Sequence, residues 1–376
     1  MSNKSENLFS KSALADTLHL TRARKCATIN ALWPHLNLVE QDYIEDDYAA
    51  LFEFFGRTLQ GLHPHSSKFA IQEWSGLFDI SASLSANRSV AREALIGDVK
   101  KRYLNTEDAA IARSIELVVR LWLGLNICSK GLSVGPANPR ESRIDWEDGQ
   151  SFNALVATQF PQGPSKGTAT NVQFDDSFTA VNLKSICRLH LRWTDNLTDH
   201  LKLEGPRGQR SLSIYQHKIC LVNHWKATET ALIPTDILDE TIRTLDLLFP
   251  FGDPKTNAFL EEEDIQFWSI SRGLSETSRA TKLDEFRYWR SRLAQLSNLF
   301  HGPPETVMQT LLDTRNITQF ATLWVAIFGV FFLTIIFGVL STVYSVKQYR
   351  VAMKSYELAL AQACQQASKP LQGFCD

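Results

Sequence analysis

A long uncharged apolar run near the C-terminus is the strongest pattern in the chain. The twenty-five residues from Phe320 to Tyr344 carry no charge, and fifteen of them are Phe, Leu, Ile or Val. Each such side chain contributes about 0.3 to 0.6 kcal/mol at the centre of a bilayer, so the run favours insertion by about 5 kcal/mol. As a helix it measures about 37 Å, which exceeds the roughly 30 Å of a bilayer's hydrocarbon core. We therefore predict one transmembrane helix within residues 317–346.

The other apolar positions recur mostly with the 3.6-residue period of an α-helix. This period predicts helices over residues 42–62, 89–104, 106–129, 178–194, 235–249 and 282–300, and a helical continuation through residues 347–364. Alternation with a period of two occurs in one region. It predicts a β-hairpin from His200 to Gln216 around the turn Gly205–Arg210, with a third strand at Ile219–Trp225. The predicted fold class is mainly α with a small α+β insert and one C-terminal transmembrane helix.

Shifts in composition suggest how the chain is divided. The stretch at residues 131–143 contains Gly and Pro and is the clearest break, so it predicts a linker. We expect a helical N-terminal region at 1–130, the linker at 131–143, an α+β region at 144–230, a helical region at 231–316, the transmembrane helix at 317–346 and a helical C-terminal tail at 347–376.

Charge and cysteine content narrow the class of protein. The 376 residues include 39 basic and 41 acidic residues, and a net charge of −2 creates no global attraction to nucleic acid or anionic lipid. The six dispersed cysteines include no CxxC pair, which favours reduced thiols over a disulfide framework. The sequence contains no P-loop, dinucleotide fingerprint or HExxH motif. We therefore expect no cofactor and no metal, and we assign no catalytic residue.

Two signals for the orientation of the span disagree. Residues 1–30 lack the apolar core of a secretory signal, so we expect the N-terminal part to stay in the cytosol. Three basic residues lie between Lys347 and Lys354 whereas only Arg315 closely precedes the span, and positive flanks favour the cytosolic side. Long domains follow flank charges poorly, so we favour the cytosolic N-terminal part. Four N-x-S/T triplets would be glycosylation acceptors only in the opposite topology: Asn3, Asn87, Asn196 and Asn316.

A basic helix followed by a hairpin suggests an alternative function. On a helix over residues 178–194, Lys184, Arg188 and Arg192 would lie four residues apart on one face, and Arg207 and Arg210 would lie at the hairpin tip. Winged-helix proteins use cations at such positions to contact phosphates. Solvated charge on an ordinary α+β element explains the same pattern. A membrane-tethered nucleic-acid-binding regulator is therefore an alternative, and nucleic acid is not the partner we expect.

Two further patterns raise the question of chemistry. Gly131-Leu132-Ser133-Val134-Gly135 matches the nucleophile elbow of serine hydrolases, which needs a strand before it and a helix after it. Pro136 and Pro139 oppose that helix, so a glycine-rich linker is the simpler interpretation. Another group of residues has the types and some of the spacings of zinc ligands. These are Cys187, His190, His200, His217, Cys220 and His224, of which Cys187, His190 and Cys220 lie at apolar positions typical of buried structural residues.

Within the apolar run, small residues recur every four positions. Thr334, Gly338 and Thr342 form a stripe that would let two transmembrane helices approach closely. The stripe suggests a homodimer through this face, and small residues facing lipid are the alternative.

Several sequence segments resemble a family of filamentous-fungal single-span membrane proteins. They are Asp145-Trp146-Glu147-Asp148-Gly149, the segment from Trp193 to Leu201, and Trp289-Arg290-Ser291-Arg292-Leu293. The resemblance covers about half the chain, from Ile144 to Arg350. It implies a variable N-terminal part, a short β region and one C-terminal span, and it implies no activity. The chain departs from the family at Leu311–Arg315, where an aromatic pair and two arginines are expected.

Together these patterns predict a single-pass membrane-tethered protein that acts as an interaction or scaffold module. Its expected partners are membrane lipid and another protein. The winged-helix regulator and a serine hydrolase with Ser133 as its nucleophile are the alternatives.

Overall fold

Helices dominate the structure and confirm the mainly α class. The computed structural model describes residues 7–9, 20–129, 132–133, 140–163, 172–228, 231–265, 267, 282–302, 317–366 and 373. Helices make up 63% of it. The α-helices are α1 Arg22–Leu32, α2 Glu45–Leu62, α3 Trp74–Ala86, α4 Arg92–Lys100, α5 Asp108–Leu123, α6 Phe152–Gln159, α7 Ala180–Ile186, α8 Lys218–Lys226, α9 Thr235–Leu248, α10 Pro254–Glu262, α11 Arg290–His301 and α12 Ile317–Gln366.

The chain forms two compact units, within residues 1–306 and 307–376. Two small sheets lie in the first unit, each with one parallel and one antiparallel pair of strands. The strand orders are β2-β1-β3 and β4-β6-β5. The strands are β1 Ile127–Ser129, β2 Leu132–Ser133, β3 Ile144–Asp145, β4 His190–Thr194, β5 Leu203–Glu204 and β6 Ser211–Tyr215.

Two helices show how the sequence builds the core of the first unit. Acidic residues Glu45–Asp47 occupy the first turn of α2, where they complement the positive end of the helix dipole. Nearly every residue of α5 from Ala110 to Leu123 is buried, which makes it the central helix. The helix ends at Gly124, whose φ of +63° favours glycine. A Cβ there would also lie 2.6 Å from the Tyr215 hydroxyl oxygen.

The structure corrects the α+β region. The single helix predicted over residues 178–194 is wrong: α7 ends at Ile186, Arg188 adopts a left-handed φ of 56°, and the chain continues as β4. The antiparallel pairing of β5 with β6 confirms the hairpin. However, the predicted third strand at Ile219–Trp225 belongs to α8. Short apolar runs do not distinguish a strand from a buried helix, and α8 is buried along most of its length.

Further helix boundaries also differ from the prediction. The helix predicted over residues 89–104 spans only Arg92–Lys100, and the one predicted over residues 42–62 begins at Glu45. The helix predicted over residues 106–129 ends at Leu123, because the chain turns at Gly124 and then forms β1. The helix predicted over residues 282–300 begins at Arg290, after a short 3-10 turn at Leu283–Glu285.

The second unit contains one long apolar helix, as the sequence predicts. Helix α12 has 50 residues, so it measures about 75 Å and continues well past the apolar run. It is long and apolar enough to cross a membrane, and no side chain in its most apolar window is buried by the rest of the chain. Cys364, beyond that window, is disulfide-bonded. The expectation of reduced thiols therefore fails at this position, whereas the thiols of Cys26, Cys128, Cys187 and Cys220 are reduced and buried.

Candidate functional site

One cavity of about 320 Å³ lies on the first unit. Helix α2, strand β4, the start of α8 and the turn after α10 all contribute to its wall. The residues that line it are Asp46, Asp47, Ala49, Ala50, Leu51, Glu53, Arg57, Trp193, Gln216, His217, Lys218, Ile219, Glu263, Asp264 and Ile265. We call this feature the acidic cavity, because five carboxylates and only two permanently basic side chains line it.

Helix periodicity places several of these charges together. Asp46, Glu53 and Arg57 follow one another at spacings of seven and four residues, so they share one face of α2. Burial and the neighbouring charge of Asp46 raise the pKa of Asp47 to about 6. Arg57 lies 3.6 Å from Glu53 and 3.7 Å from Asp195, and its charge is thus already shared between two carboxylates.

His217 and Asp195 form a buried pair beside the cavity. Nε2 of His217 lies 2.8 Å from Oδ1 of Asp195, and Gln216 donates a further hydrogen bond to the same oxygen. Burial alone would raise the pKa of Asp195, but its contacts with His217, Gln216 and Arg57 outweigh burial and lower that pKa. The carboxylate therefore accepts the Nε2 proton. In the neutral ring this leaves Nδ1 as a hydrogen-bond acceptor.

Trp193 adds an aromatic side chain to the lining of the cavity. The ring of Trp193 stacks on Phe249 and Phe259 with centroid separations of 5.7 and 6.4 Å. Its Nε1–H donates a 3.1 Å hydrogen bond to Glu263, which also lies 3.5 Å from the Lys184 ammonium. These contacts hold the indole in place on the cavity wall.

The side chains that line the acidic cavity define what it offers a ligand. Ser, Thr, Cys and Tyr are all missing from the lining residues, so the described wall offers no hydroxyl or thiol nucleophile. Within the described ranges, no group of three or more His, Cys, Asp or Glu side chains is placed to hold a metal ion. What the wall does offer is an excess of three negative charges beside an aromatic face.

The basic residues proposed for nucleic acid do not share one helix. Lys184 lies on α7, Arg188 in the turn after it and Arg192 on β4, so a single basic helix face is absent. Arg192 donates to Ser213 at 2.7 Å and pairs with Glu204 at 3.2 Å. Arg207 and Arg210 lie between β5 and β6, as predicted for a hairpin tip. The helix on which the winged-helix hypothesis depended is therefore not present.

The proposed zinc ligands have separate partners. His200 contacts Thr244 and Tyr215, His224 contacts the carbonyl oxygen of Trp122, and His217 contacts Asp195. Cys187 lies 3.7 Å from the carbonyl oxygen of Leu299. Cys220 is buried within α8, whereas His190 is exposed at the start of β4. The structure uses the buried members of this set as packing and hydrogen-bonding residues.

Part of the serine motif lies on strand β2. Ser133 lies on β2, where it pairs with Cys128 of β1. Residues 134–139, which would have to begin the helix of a nucleophile elbow, lie outside the described residues. The preceding segment is helical up to Leu123 and forms a strand only from Ile127 to Ser129.

The small residues of the apolar run share one exposed face of α12. Thr334 and Thr342 each donate their hydroxyl to the carbonyl oxygen four residues earlier, at 2.8 Å. A Cβ placed on Gly338 would meet no atom within 4 Å. The homodimer that this stripe suggests stays a prediction.

Sequence patterns did not indicate the acidic cavity. Along the chain, the acidic runs Glu45–Asp47 and Glu261–Asp264 are typical of helix-start or solvated charge, and the second run covers the end of α10. Only the tertiary fold brings Asp264 near Asp46, more than two hundred residues earlier. No protein-family model, curated protein or solved structure matches this chain. The resemblance to fungal single-span proteins therefore stays a prediction.

Proposed function

We propose that this protein is a single-pass membrane-tethered interaction module whose first unit binds a protein partner at the acidic cavity. The observation that carries the proposal is α12, a helix whose apolar window is left uncovered by the chain itself. Burying such a surface in lipid is worth about 5 kcal/mol, whereas exposing it to water invites aggregation. The separate compact unit and the excess of negative charge on its cavity wall support a binding role.

We further propose that the first unit faces the cytosol. The amide nitrogen of Asn196, the potential acceptor of a glycan, donates hydrogen bonds to the carbonyl oxygen of Ser142 and to Asp199, and the residue is 2% exposed. A glycan there would prevent folding, so this triplet suits a compartment without glycosylation. The disulfide at Cys364 supports an oxidising environment for the end of α12, on the opposite side of the membrane.

Carbonate extraction tests the tether. We expect the full chain to stay in the membrane pellet and a Phe332→Arg/Leu333→Arg variant to be released, because each central arginine opposes insertion by about 2.5 to 3.5 kcal/mol. Phe251→Arg, at an exposed apolar residue of the first unit, is the matched control and should pellet like the parent. Release of the parent chain would contradict the proposal.

Protease protection of terminal tags tests the orientation. In sealed microsomes, an N-terminal tag should be digested and a C-terminal tag protected. The reverse pattern, or glycosylation of Asn196, would contradict the cytosolic placement.

A further inference from the structure

The polar groups of the acidic cavity that remain available to a ligand are hydrogen-bond acceptors. Asp46 and Asp264 line it, and within the described part of the chain neither side chain takes part in an ion pair or a hydrogen bond. The positive charges are already engaged, since Arg57 contacts Glu53 and Asp195 while Lys218 contacts Asp246 at 2.5 Å. A ligand that complements this wall must supply positive charge and N–H donors.

His217 gives an independent indication of a missing donor. Its side chain lines the cavity and is 2% exposed. Nε2 faces Asp195, and Nδ1 has no hydrogen-bond partner among the residues that the structure describes. With the ring neutral, Nδ1 is a buried acceptor without a partner, which is uncommon in folded proteins and calls for an explanation. A donor group of a ligand would satisfy it.

Size and shape point to an organic cation. A volume of about 320 Å³ lies at the lower end of ligand pockets and accommodates one long side chain. The fixed indole of Trp193 on the wall suits an alkyl stem or a cation held against an aromatic face. Since the acids do not converge as metal ligands do, a bare divalent ion is the weaker fit.

We propose that the acidic cavity binds the side chain of a lysine or arginine presented by a protein partner. This inference rests on the proposed function and specifies what the interaction module recognises. The carboxylates of Asp46, Glu53 and Asp264 attract the cation, and Nδ1 of His217 accepts one of its N–H groups. The partner segment is accordingly basic.

Peptide binding to the full chain tests this proposal. The chain is placed in nanodiscs of neutral phosphatidylcholine, which do not themselves attract cations. The probes are acetyl-Gly-Arg-Gly-amide, acetyl-Gly-Lys-Gly-amide and, as an uncharged isostere of the first, acetyl-Gly-citrulline-Gly-amide. Saturation-transfer NMR gives the dissociation constants. We expect the better basic peptide to bind at least tenfold more tightly than the citrulline peptide, and equal binding would overturn the proposal.

Matched variants locate the binding site. Asp46→Asn/Glu53→Gln/Asp264→Asn removes three cavity carboxylates, and asparagine tolerates the left-handed φ of 55° at position 264. Glu40→Gln/Glu93→Gln/Glu262→Gln removes three exposed carboxylates that do not line the cavity. We expect the first triple to lose at least tenfold in affinity and the second to stay within twofold. Equal losses of affinity in the two triple variants would show that the peptide is attracted non-specifically, and would overturn the assignment of the binding site to the cavity.

Two further outcomes separate the alternatives. If free 1,5-diaminopentane binds tenfold more tightly than either peptide, the ligand is a free amine, and the proposal of a lysine or arginine side chain from a partner is wrong. If carbonate releases the chain but the released protein still binds the basic peptide at the cavity, the tether fails while the cavity inference stands. If the chain stays in the pellet but does not bind the basic peptide, the tether stands and the cavity inference fails.

Discussion

Nδ1 of His200 accepts a hydrogen bond from the main-chain N–H of Tyr215, at 3.2 Å. The ring therefore carries its proton on Nε2, which lies 2.7 Å from the Thr244 hydroxyl oxygen. That hydroxyl in turn donates to the carbonyl oxygen of Thr241 at 2.6 Å. Both ring nitrogens are engaged, so this buried histidine is held neutral and has no free nitrogen for a metal.

Acid should destabilise the first unit partly through His200. Burial, and then the charge of Arg292, lower the pKa of His200 to about 3. Below pH 6.5, His200 is protonated in the unfolded chain but stays neutral in the folded one. The free energy of unfolding therefore falls as the pH drops towards 3. The contribution of one such group is about 1.4 kcal/mol per pH unit.

Urea unfolding of the detergent-solubilised chain between pH 6.5 and 4 measures this slope. We expect His200→Asn, whose side-chain oxygen can still accept from Tyr215, to reduce the slope by about 1.4 kcal/mol per pH unit. Other groups also titrate in this range: the pKa of His224 is about 4, and burial raises the pKa values of Glu116 and Asp47. Both proteins contain these groups, so their effects on the slope cancel. Identical slopes would contradict a neutral His200.

Asn196 should be intolerant even of an isosteric change. Its side-chain oxygen accepts from the Thr198 hydroxyl at 3.0 Å, and its nitrogen donates to Ser142 and Asp199. Asn196→Asp removes those donors and places a second carboxylate beside Asp199, so we expect a loss of about 3 kcal/mol or more in urea unfolding. Asn153→Asp, at an exposed site, should stay within about 0.5 kcal/mol. A small loss at Asn196 would show that the network contributes little.

Glu240 on α9 forms hydrogen bonds with the main chain just before α11. Its carboxylate accepts main-chain N–H bonds from Arg287, Tyr288 and Trp289 at 2.7, 2.8 and 2.6 Å. Glu240→Gln turns one acceptor into a donor that faces N–H groups, so we expect thermal unfolding to show a loss of about 2 to 3 kcal/mol. Asp239→Asn, at a more exposed neighbour, should cost well under 1 kcal/mol. Equal losses would contradict the role of Glu240.

Crosslinking in membranes tests the stripe of small residues on α12. If two chains pack through Thr334, Gly338 and Thr342, Gly338→Leu should reduce the crosslinked dimer several-fold, because a bulky side chain separates the backbones. Gly329→Leu is the matched control, since nine residues at about 100° each place it on the opposite face. A Gly338→Leu chain that crosslinks like the parent would exclude packing through this face.

The sequence indicates elements whose signal is local. The acidic first turn of α2, the helical period of α9 and the β5–β6 hairpin all follow from residues close together in the chain. The apolar run at Phe320–Tyr344 is the clearest case. Prediction fails at β4 and α8, because each is defined by a partner elsewhere: β4 by parallel pairing with β6, and α8 by burial among other helices.

By itself, the sequence determined that the chain is mainly helical and that one helix is long and apolar enough for a bilayer, because periodicity and transfer free energy are sums over neighbouring residues. Only the tertiary structure decided where charge accumulates. Asp46, His217 and Asp264 come from three separated parts of the chain, and they line one cavity because folding packs α2, α8 and the end of α10 around it. A binding site assembled over such distances has no signature along the chain, since its electrostatic character depends on distances in space.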